Sequence, residues 1–324
     1  MPKSPRVTIL LPNYNNEPTI RKCIDSALEQ TYGSFILLIV DDGSTDKSPE
    51  IINSYEDDRI QFITKENNSG IVDTLNIGLD QVNTEFVARL DGDDYMHPER
   101  IEQQIQFMDQ HKEVDICGTY LINFGMDDSK VDMVRGSDLI KANLIYRHTL
   151  AHPTMMFRGK LFTQDKFRYS EKFYLMEDFE LIYRMKDQVI MDNVPEYLYY
   201  YRITDRNEHK NIVEKKRETY YKLYDFVLSD LKISYPNCGK VHFEIFKDVV
   251  LNHDLKTYKH HLDLLLRSNQ NEKIFPIQEF GKVISEIRKS LIFRCIDQDK
   301  AKFFDLIFKP KYLYYYLRTK FSSK

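Results

Sequence analysis

Three carboxylates crowd around one glycine in Leu90-Asp91-Gly92-Asp93-Asp94, directly after the run Glu85-Phe86-Val87-Ala88-Arg89. The run reads as a buried strand, and like charges at the end of such a strand are costly unless a cation sits among them. On an extended backbone Asp91 and Asp93 point to one side. Gly92 lets the chain turn and lets a ligand approach the backbone. Donors of this all-oxygen kind suit a hard divalent cation, magnesium or manganese. The plain alternative is a surface Asp-Gly turn between strands.

The elements that would carry this segment follow a regular alternation. Val7-Thr8-Ile9-Leu10-Leu11 is a strand ended by Pro12, and Ile20, Cys23, Ile24, Ala27 and Leu28 recur at helical spacing. The unbroken run from Phe35 to Val40 predicts a central strand buried on both faces. A short helix over Ser48 to Tyr55, a strand over Ile60 to Thr64 and a helix after Gly70 come next. Phe86 to Leu90 is the fourth strand, and Pro98 opens a helix running to about His111. The pattern predicts an open, mostly parallel α/β sheet, whose ligand sits outside the carboxyl ends of the strands. Each of the four strands ends in a polar segment: Pro12-Asn13-Tyr14-Asn15-Asn16, Asp41-Asp42-Gly43-Ser44-Thr45-Asp46, Asn67-Asn68-Ser69-Gly70 and Asp91-Gly92-Asp93-Asp94.

Composition sets bounds on the rest. The chain has 324 residues, 42% of them hydrophobic, enough for two domains or for one large domain with an appendage. A formal net charge of −4 gives no sign of a nucleic-acid binder. Cys23, Cys117, Cys238 and Cys295 form no CxxC pair and read as reduced thiols of a cytosolic protein. No signal peptide and no membrane-spanning run is expected. After about Asp205 strand-like runs give way to helical segments: Glu208 to Leu231, Val241 to Leu266, Ile277 to Ile307 and Lys311 to Lys320. A boundary near residue 206 is therefore expected, with domains 1–206 and 207–324.

Taken in order, these motifs resemble those of a family 2 glycosyltransferase of the GT-A fold, over roughly residues 5 to 204. The matching segments are Val7 to Asn16, Ser26 to Tyr32, Val40 to Asp46, Asn68-Ser69-Gly70 with Asn76-Ile77-Gly78, Leu90 to Asp94, and Met176-Glu177-Asp178. The resemblance implies a Rossmann-like nucleotide-binding sheet with helices on both faces, here followed by a helical C-terminal region. It implies transfer from a UDP-sugar to a hydroxyl of a glycan or lipid-linked glycan, with inversion, in bacterial surface-polysaccharide synthesis.

The resemblance also assigns roles. Pro12, Asn15, Asp41, Asp42, Asn68, Gly70, Asp91 and Gly92 are the expected nucleotide contacts. Asp42 would accept from the ring N–H of uracil. Asp41 would touch the ribose or shape its loop, unless it is a solvated turn residue, and Asn15 would line the cleft or cap a helix. Asp93, with Asp91, would hold manganese or magnesium, which neutralises charge on the departing diphosphate. Asp94 would assist through water or cap the next helix. Asp178 is the expected general base, its alternative being a helix N-terminal acid beside Glu177. His152, in a segment preceding a strand, would contact acceptor or phosphate unless it is structural, and Glu177 would make such a contact or serve as a helix N-terminal acid. Arg202 or Arg206 would contact the diphosphate or be solvated.

The tail from Phe303 to Phe321 mixes aromatic and basic residues. It suits a helix in a membrane interface, an aromatic helix packed on the protein's own core, or a dimerisation module. The functional context favours peripheral contact with the inner face of the plasma membrane; a homo-oligomer is also compatible. Two other functions compete. A nucleotidyltransferase-like enzyme would carry a Gly-rich basic signature near the N-terminus, and none is visible. A non-catalytic nucleotide- or glycan-binding subunit would have no reason to keep Asp91, Asp93 and Asp178 together.

Overall fold

The computed structural model describes residues 4–147, 149–204, 209–246, 253 and 255–298, with backbone alone for 209–216, 292–293 and 295–298. The chain forms two compact units, Met1–Ile140 with His148–Glu214, and Lys141–Arg147 with Lys215–Lys324.

The first unit is built on one sheet. Its described strands are β1 (Val7–Asn13), β2 (Phe35–Asp41), β3 (Ile60–Thr64), β4 (Phe86–Arg89), β5 (Tyr95–Met96), β6 (Ile116–Gly125), β7 (Lys130–Val131), β8 (Met156–Arg158) and β9 (Met191–Ile203). The order is β3-β2-β1-β4-β8-β6-β9-β5, with β7 on β6. The first four are parallel; β8 runs antiparallel between β4 and β6, β9 lies parallel to β6, and β5 antiparallel to β9. Helices α1 (Ile20–Leu28), α2 (Ser48–Asn53), α3 (Ile71–Asp80), α4 (Arg100–Gln110), α5 (Ser137–Asn143), α6 (Lys160–Thr163) and α7 (Glu177–Met185) connect them. The helical spacing of Ile20, Cys23, Ile24 and Ala27 buries that face of α1 in one core with Ile9, Leu11, Leu37 and Ile39. Each buried isoleucine or leucine among them contributes about 1.5–3 kcal/mol by leaving water.

Three boundaries differ from the sequence reading. β1 does not stop at Pro12 but pairs on through Pro12↔Val40 to Asn13↔Asp41. The Leu10 carbonyl faces β4, so the missing N–H of Pro12 faces the same side, where β4 has already ended beside Leu10. α4 starts at Arg100 and not at Pro98, whose carbonyl accepts the Thr31 amide at 2.9 Å. The segment His152 to Arg158 does not precede a strand: it contains a turn of 3₁₀ helix and then β8 itself.

The remaining helices are α8 (His209–Asp230), α9 (Cys238–Phe246), α10 (Leu255–Glu272) and α11 (Ile277–Gln298). The single helix expected over Val241 to Leu266 is thus two. Asp205, Arg206, the helix expected over Lys311 to Lys320 and the basic-aromatic tail lie outside the described residues. Among the described residues no helix is long and apolar enough to cross a membrane.

Candidate active site

The carboxyl ends of the first four strands align. Asn13 pairs with Asp41, Asp41 with Thr64, and Leu10 with Arg89, so the four polar segments meet at one edge. There they enclose a cleft of about 520 Å³, lined by Pro12, Asn13, Asn16, Asp42, Asn68 and Gly70 on one side and by Asp91, Gly92 and Asp93 on the other.

The nucleotide side is a self-supporting loop. Asp41 is fully buried and accepts from Asn13 Nδ2 at 2.6 Å, Ser44 Oγ at 2.6 Å and the Ser44 amide at 2.9 Å. It is neither a solvated turn residue nor part of the cleft lining; its oxygens are used in shaping the loop. Asn15, expected to line the cleft or cap a helix, does neither. Its backbone is left-handed (φ 51°), and its side-chain oxygen accepts the Thr45 amide at 2.8 Å. Its neighbours Asn13 and Asn16 face the cleft instead and bond to each other at 3.1 Å.

Asp42 lies one residue beyond the strand and does line the cleft. Its Oδ1 accepts from Lys65 Nζ at 2.6 Å and the Ser69 amide at 2.9 Å, and its Oδ2 from the Gly70 amide at 2.9 Å. Oδ2 therefore keeps acceptor capacity for a ligand donor. Burial depresses Lys65, but its bonds to Asp42 and Asp73 outweigh that and raise it. The loops after β2 and β3 touch directly: a Cβ on Gly43 (φ 68°) would lie 2.7 Å from the Asn67 backbone.

On the other side Asp91 and Asp93 both line the cleft, yet not through strand alternation. The Asp94 amide closes a turn on the Asp91 carbonyl at 3.1 Å. Asp91 Oδ1 pairs at 2.7 Å with Arg89, which is almost fully buried and also donates to the Leu10 carbonyl at 2.9 Å. Asp94 is neither a helix cap nor open to the cleft. It is 2% exposed and accepts from the Tyr199 hydroxyl at 2.9 Å and the Arg202 amide at 2.7 Å. Burial, then the charges of Asp91 and Asp93, push its carboxyl up to about 8. The Arg202 side chain donates to the Asp93 carbonyl at 2.8 Å and lies over Phe124, outside the cleft lining. Its visible role is to hold the acidic loop.

A second hollow of about 420 Å³ adjoins the first and shares Asp91 and His152 with it. Asp178 lines this hollow, whereas Glu177 lines the first cleft. Leu121, Val131, Pro153 and Tyr201 give the second hollow apolar walls. Asp178 also accepts its neighbour Phe179's amide at 2.7 Å, at the start of α7. His152 Nε2 meets the Tyr169 hydroxyl at 2.7 Å and receives Arg89 Nε at 3.4 Å. An arginine can only donate, so this nitrogen is an acceptor and the ring proton belongs on Nδ1.

Asp91 and Asp93 fit a hard cation in donor type and placement. Among the described residues no group of three or more His, Cys, Asp or Glu could hold a metal. A cation held by one or two carboxylates plus substrate phosphates and water would need no all-protein cage. The charges of Asp91 and Asp93 already disfavour ionisation of Asp94 beside them. Sequence reasoning missed Asn13, Asn16, Lys65, Arg89 and Tyr199; only the crowding of asparagines in Asn13 to Asn16 hinted at the first two.

Comparison with known proteins gives consistent results. Residues 8–170 match the family model described as Glycosyl transferase family 2. The Methanocaldococcus jannaschii protein named uncharacterized glycosyltransferase MJ1057 is 28% identical over 253 residues, 74% of this chain and 84% of that one. S. aureus TarS 1–349, solved in complex with UDP-GlcNAc, superposes with a TM-score of 0.62 at 20% identity, covering 89% of this chain and 87% of that one. The mannosyltransferase PcManGT from Pyrobaculum calidifontis, solved with GDP-Man and Mn2+, gives 0.52 at 14% identity over 100% and 89%. These structural likenesses are of fold: a mixed, mostly parallel GT-A-type sheet with helices.

Proposed function

The chain belongs to glycosyl transferase family 2, and from that premise we propose that it transfers a sugar from a UDP-sugar to a hydroxyl of a glycan or lipid-linked acceptor, with inversion, in surface-polysaccharide synthesis. One observation carries the reading: two adjoining hollows share Asp91 and His152, one lined by Asp42, Asp91 and Asp93, the other by Asp178. TarS with UDP-GlcNAc and PcManGT with GDP-Man and Mn2+ support a nucleotide-sugar donor and a divalent metal.

In this reading Asp42 Oδ2 accepts the uracil N–H, and Asn13, Asn16, Asn68 and Gly70 shape the cleft around base and ribose. Asp91 and Asp93 would hold manganese or magnesium, which when bound would supply positive charge to the departing diphosphate. The acceptor hydroxyl enters the second hollow, where Asp178 takes its proton as the oxygen bonds to the anomeric carbon. The bond from that carbon to the phosphate oxygen breaks on the opposite face, through a transition state of oxocarbenium character, and the electron pair leaves with UDP. Arg89 fixes Asp91 at the wall between donor and acceptor. The protein works from the cytoplasmic side, where such donors are available.

The test is UDP release from a panel of UDP-sugars with manganese, magnesium or chelator. Slow hydrolysis of one sugar, lost with chelator and in Asp93→Ala, establishes the donor and the metal. Asp178→Asn should keep metal-dependent donor binding and lose transfer. Equal loss of binding in both variants would sink the division of roles. Tight metal-dependent UDP binding with no turnover of any acceptor would favour a binding subunit.

A further inference from the structure

The second unit contains a hollow of about 650 Å³ between the segment after α8 and one face of α10, lined by Lys232, Ser234, Lys256, Thr257, His260 and Ser268. Positions 256, 260, 264 and 268 recur every four residues and so share a helix face. Tyr258, His261, Leu262 and Leu265 are buried on the other. Ile233 and Leu264 give the hollow an apolar part.

Its charge is one-sided. The described lining holds two lysines, a histidine and four hydroxyls, one of them that of Tyr235, with no carboxylate. Of the nearby acids, Glu272 pairs with the lining Lys232 at 2.8 Å and offsets that cation, while Asp263 on α10 pairs with Arg288 at 2.7 Å, which leaves Lys256 and His260 to receive an anion.

The other histidines beneath are committed to a one-way chain. The Ile145 carbonyl can only accept, so His242 donates Nε2–H to it at 2.7 Å. Burial holds both His242 and His261 below their ordinary range, hence neutral. His242 Nδ1 must then accept from His261 Nε2 at 2.9 Å, and His261 Nδ1 from the Tyr235 hydroxyl at 2.6 Å. The Tyr235 proton is used inward, which leaves exposed His260 as the imidazole that faces the hollow.

We propose that this hollow binds a phosphate ester, its anionic oxygens taken by Lys256, His260 and the neighbouring hydroxyls, and its organic part resting on Ile233 and Leu264. Several cationic and hydroxyl donors around one space suit an anion with many acceptor oxygens. The volume exceeds what bare phosphate needs and lies in the range of small-molecule sites. The same chemistry is offered by a soluble phosphate ester and by a phospholipid headgroup.

The experiment uses the full chain. Histidine ring signals are followed by NMR during titration with glycerol 3-phosphate, and co-sedimentation is measured with phosphatidylglycerol and with phosphatidylcholine vesicles. Lys256→Gln combined with His260→Gln should weaken binding at least tenfold without changing thermal unfolding or UDP-sugar hydrolysis. Lys282→Gln, which removes a lysine charge from α11, should leave binding unchanged. Saturable binding of glycerol 3-phosphate with this pattern identifies a soluble ligand, and binding of phosphatidylglycerol vesicles alone identifies a lipid; both support the proposal. No saturable binding of either probe, binding unaffected by the double substitution, or equal weakening by Lys282→Gln would overturn it.

Discussion

Tyr199 donates its hydroxyl to the Asp94 carboxylate at 2.9 Å and accepts the Asp91 amide at 3.2 Å, so one buried phenol on β9 holds both ends of the acidic loop. The contact spans 105 residues of chain and ties the mixed half of the sheet to the cleft made by its parallel half. Tyr199→Phe leaves the part-buried Asp91 amide without its acceptor and buried Asp94 with one donor fewer. The expected cost is about 1–3 kcal/mol in urea unfolding. Metal-dependent UDP binding, followed by calorimetry, should weaken roughly tenfold, the equivalent of about 1.4 kcal/mol. Normal stability with normal binding would show that the loop is positioned by something other than this clamp.

The same carboxylate gives a pH signature. Burial first, then Asp91 and Asp93, raise Asp94 from 3.8 to about 8. Between those values the folded chain holds a proton that the unfolded chain has released. This contribution to stability is fully present below about pH 4 and is lost as pH rises through 8. In chelator, the wild type should therefore lose stability relative to Asp94→Asn between pH 5.5 and pH 8.5. Parallel pH dependences of the two proteins would remove Asp94 as the source.

The parallel half of the sheet was legible because a strand buried on both faces must be written as an unbroken apolar run, as Phe35 to Val40 is, and must end where polar turn residues begin. Asp91 and Asp93 stood out for the complementary reason, since charge at the end of such a run demands compensation. What was illegible depended on orientation. Asp41 and Asp42 are the same letter twice, and only the register Asn13↔Asp41 turns the first into the loop while the second lines the cleft. Asn15 is told from Asn13 and Asn16 by a left-handed backbone that no neighbour announces. Arg89 reads as an ordinary strand residue until its burial beside Asp91 is seen. β9 carries Pro195 and pairs with β6 through register shifts near Tyr120, which blurs any period of two and hid Tyr199.

Lys65 was passed over for a similar reason, as a lone lysine after a strand. Its side chain is 11% exposed and that of its partner Asp42 is 5% exposed, so the ion pair is nearly dry. Lys65→Met would leave the carboxylate with only the Ser69 and Gly70 amides. The expected loss is about 3 kcal/mol, the lower end for breaking a buried pair from one side. In an Asp42→Asn background the same substitution should cost far less, because no buried charge is stranded. Equal costs in the two backgrounds, measured by urea unfolding, would show that Lys65 acts through Asp73 or Ser69 instead.

Two glycines at the cleft separate a functional constraint from a structural one. A methyl on Gly92 would lie 2.6 Å from Asn16 Nδ2 and 3.4 Å from Asn13 Oδ1, both side-chain atoms that can move aside. Moving them breaks the 3.1 Å bond between two residues that line the donor cleft. At Gly43 the obstacle is the backbone of Asn67 and Asn68, at 2.7 and 2.9 Å, and φ is 68°, where a side chain is strained whatever the space. Gly92→Ala should therefore unfold within about 1 kcal/mol of the wild type while binding UDP several-fold more weakly. Gly43→Ala should lose about 2 kcal/mol or more, since neither the clash nor the strain can be relieved by a rotamer. Thermal unfolding and UDP titration of the two variants decide the matter: a Gly92→Ala protein that loses stability without losing affinity would mean that Asn13 and Asn16 are braces of the loop rather than walls of the donor cleft.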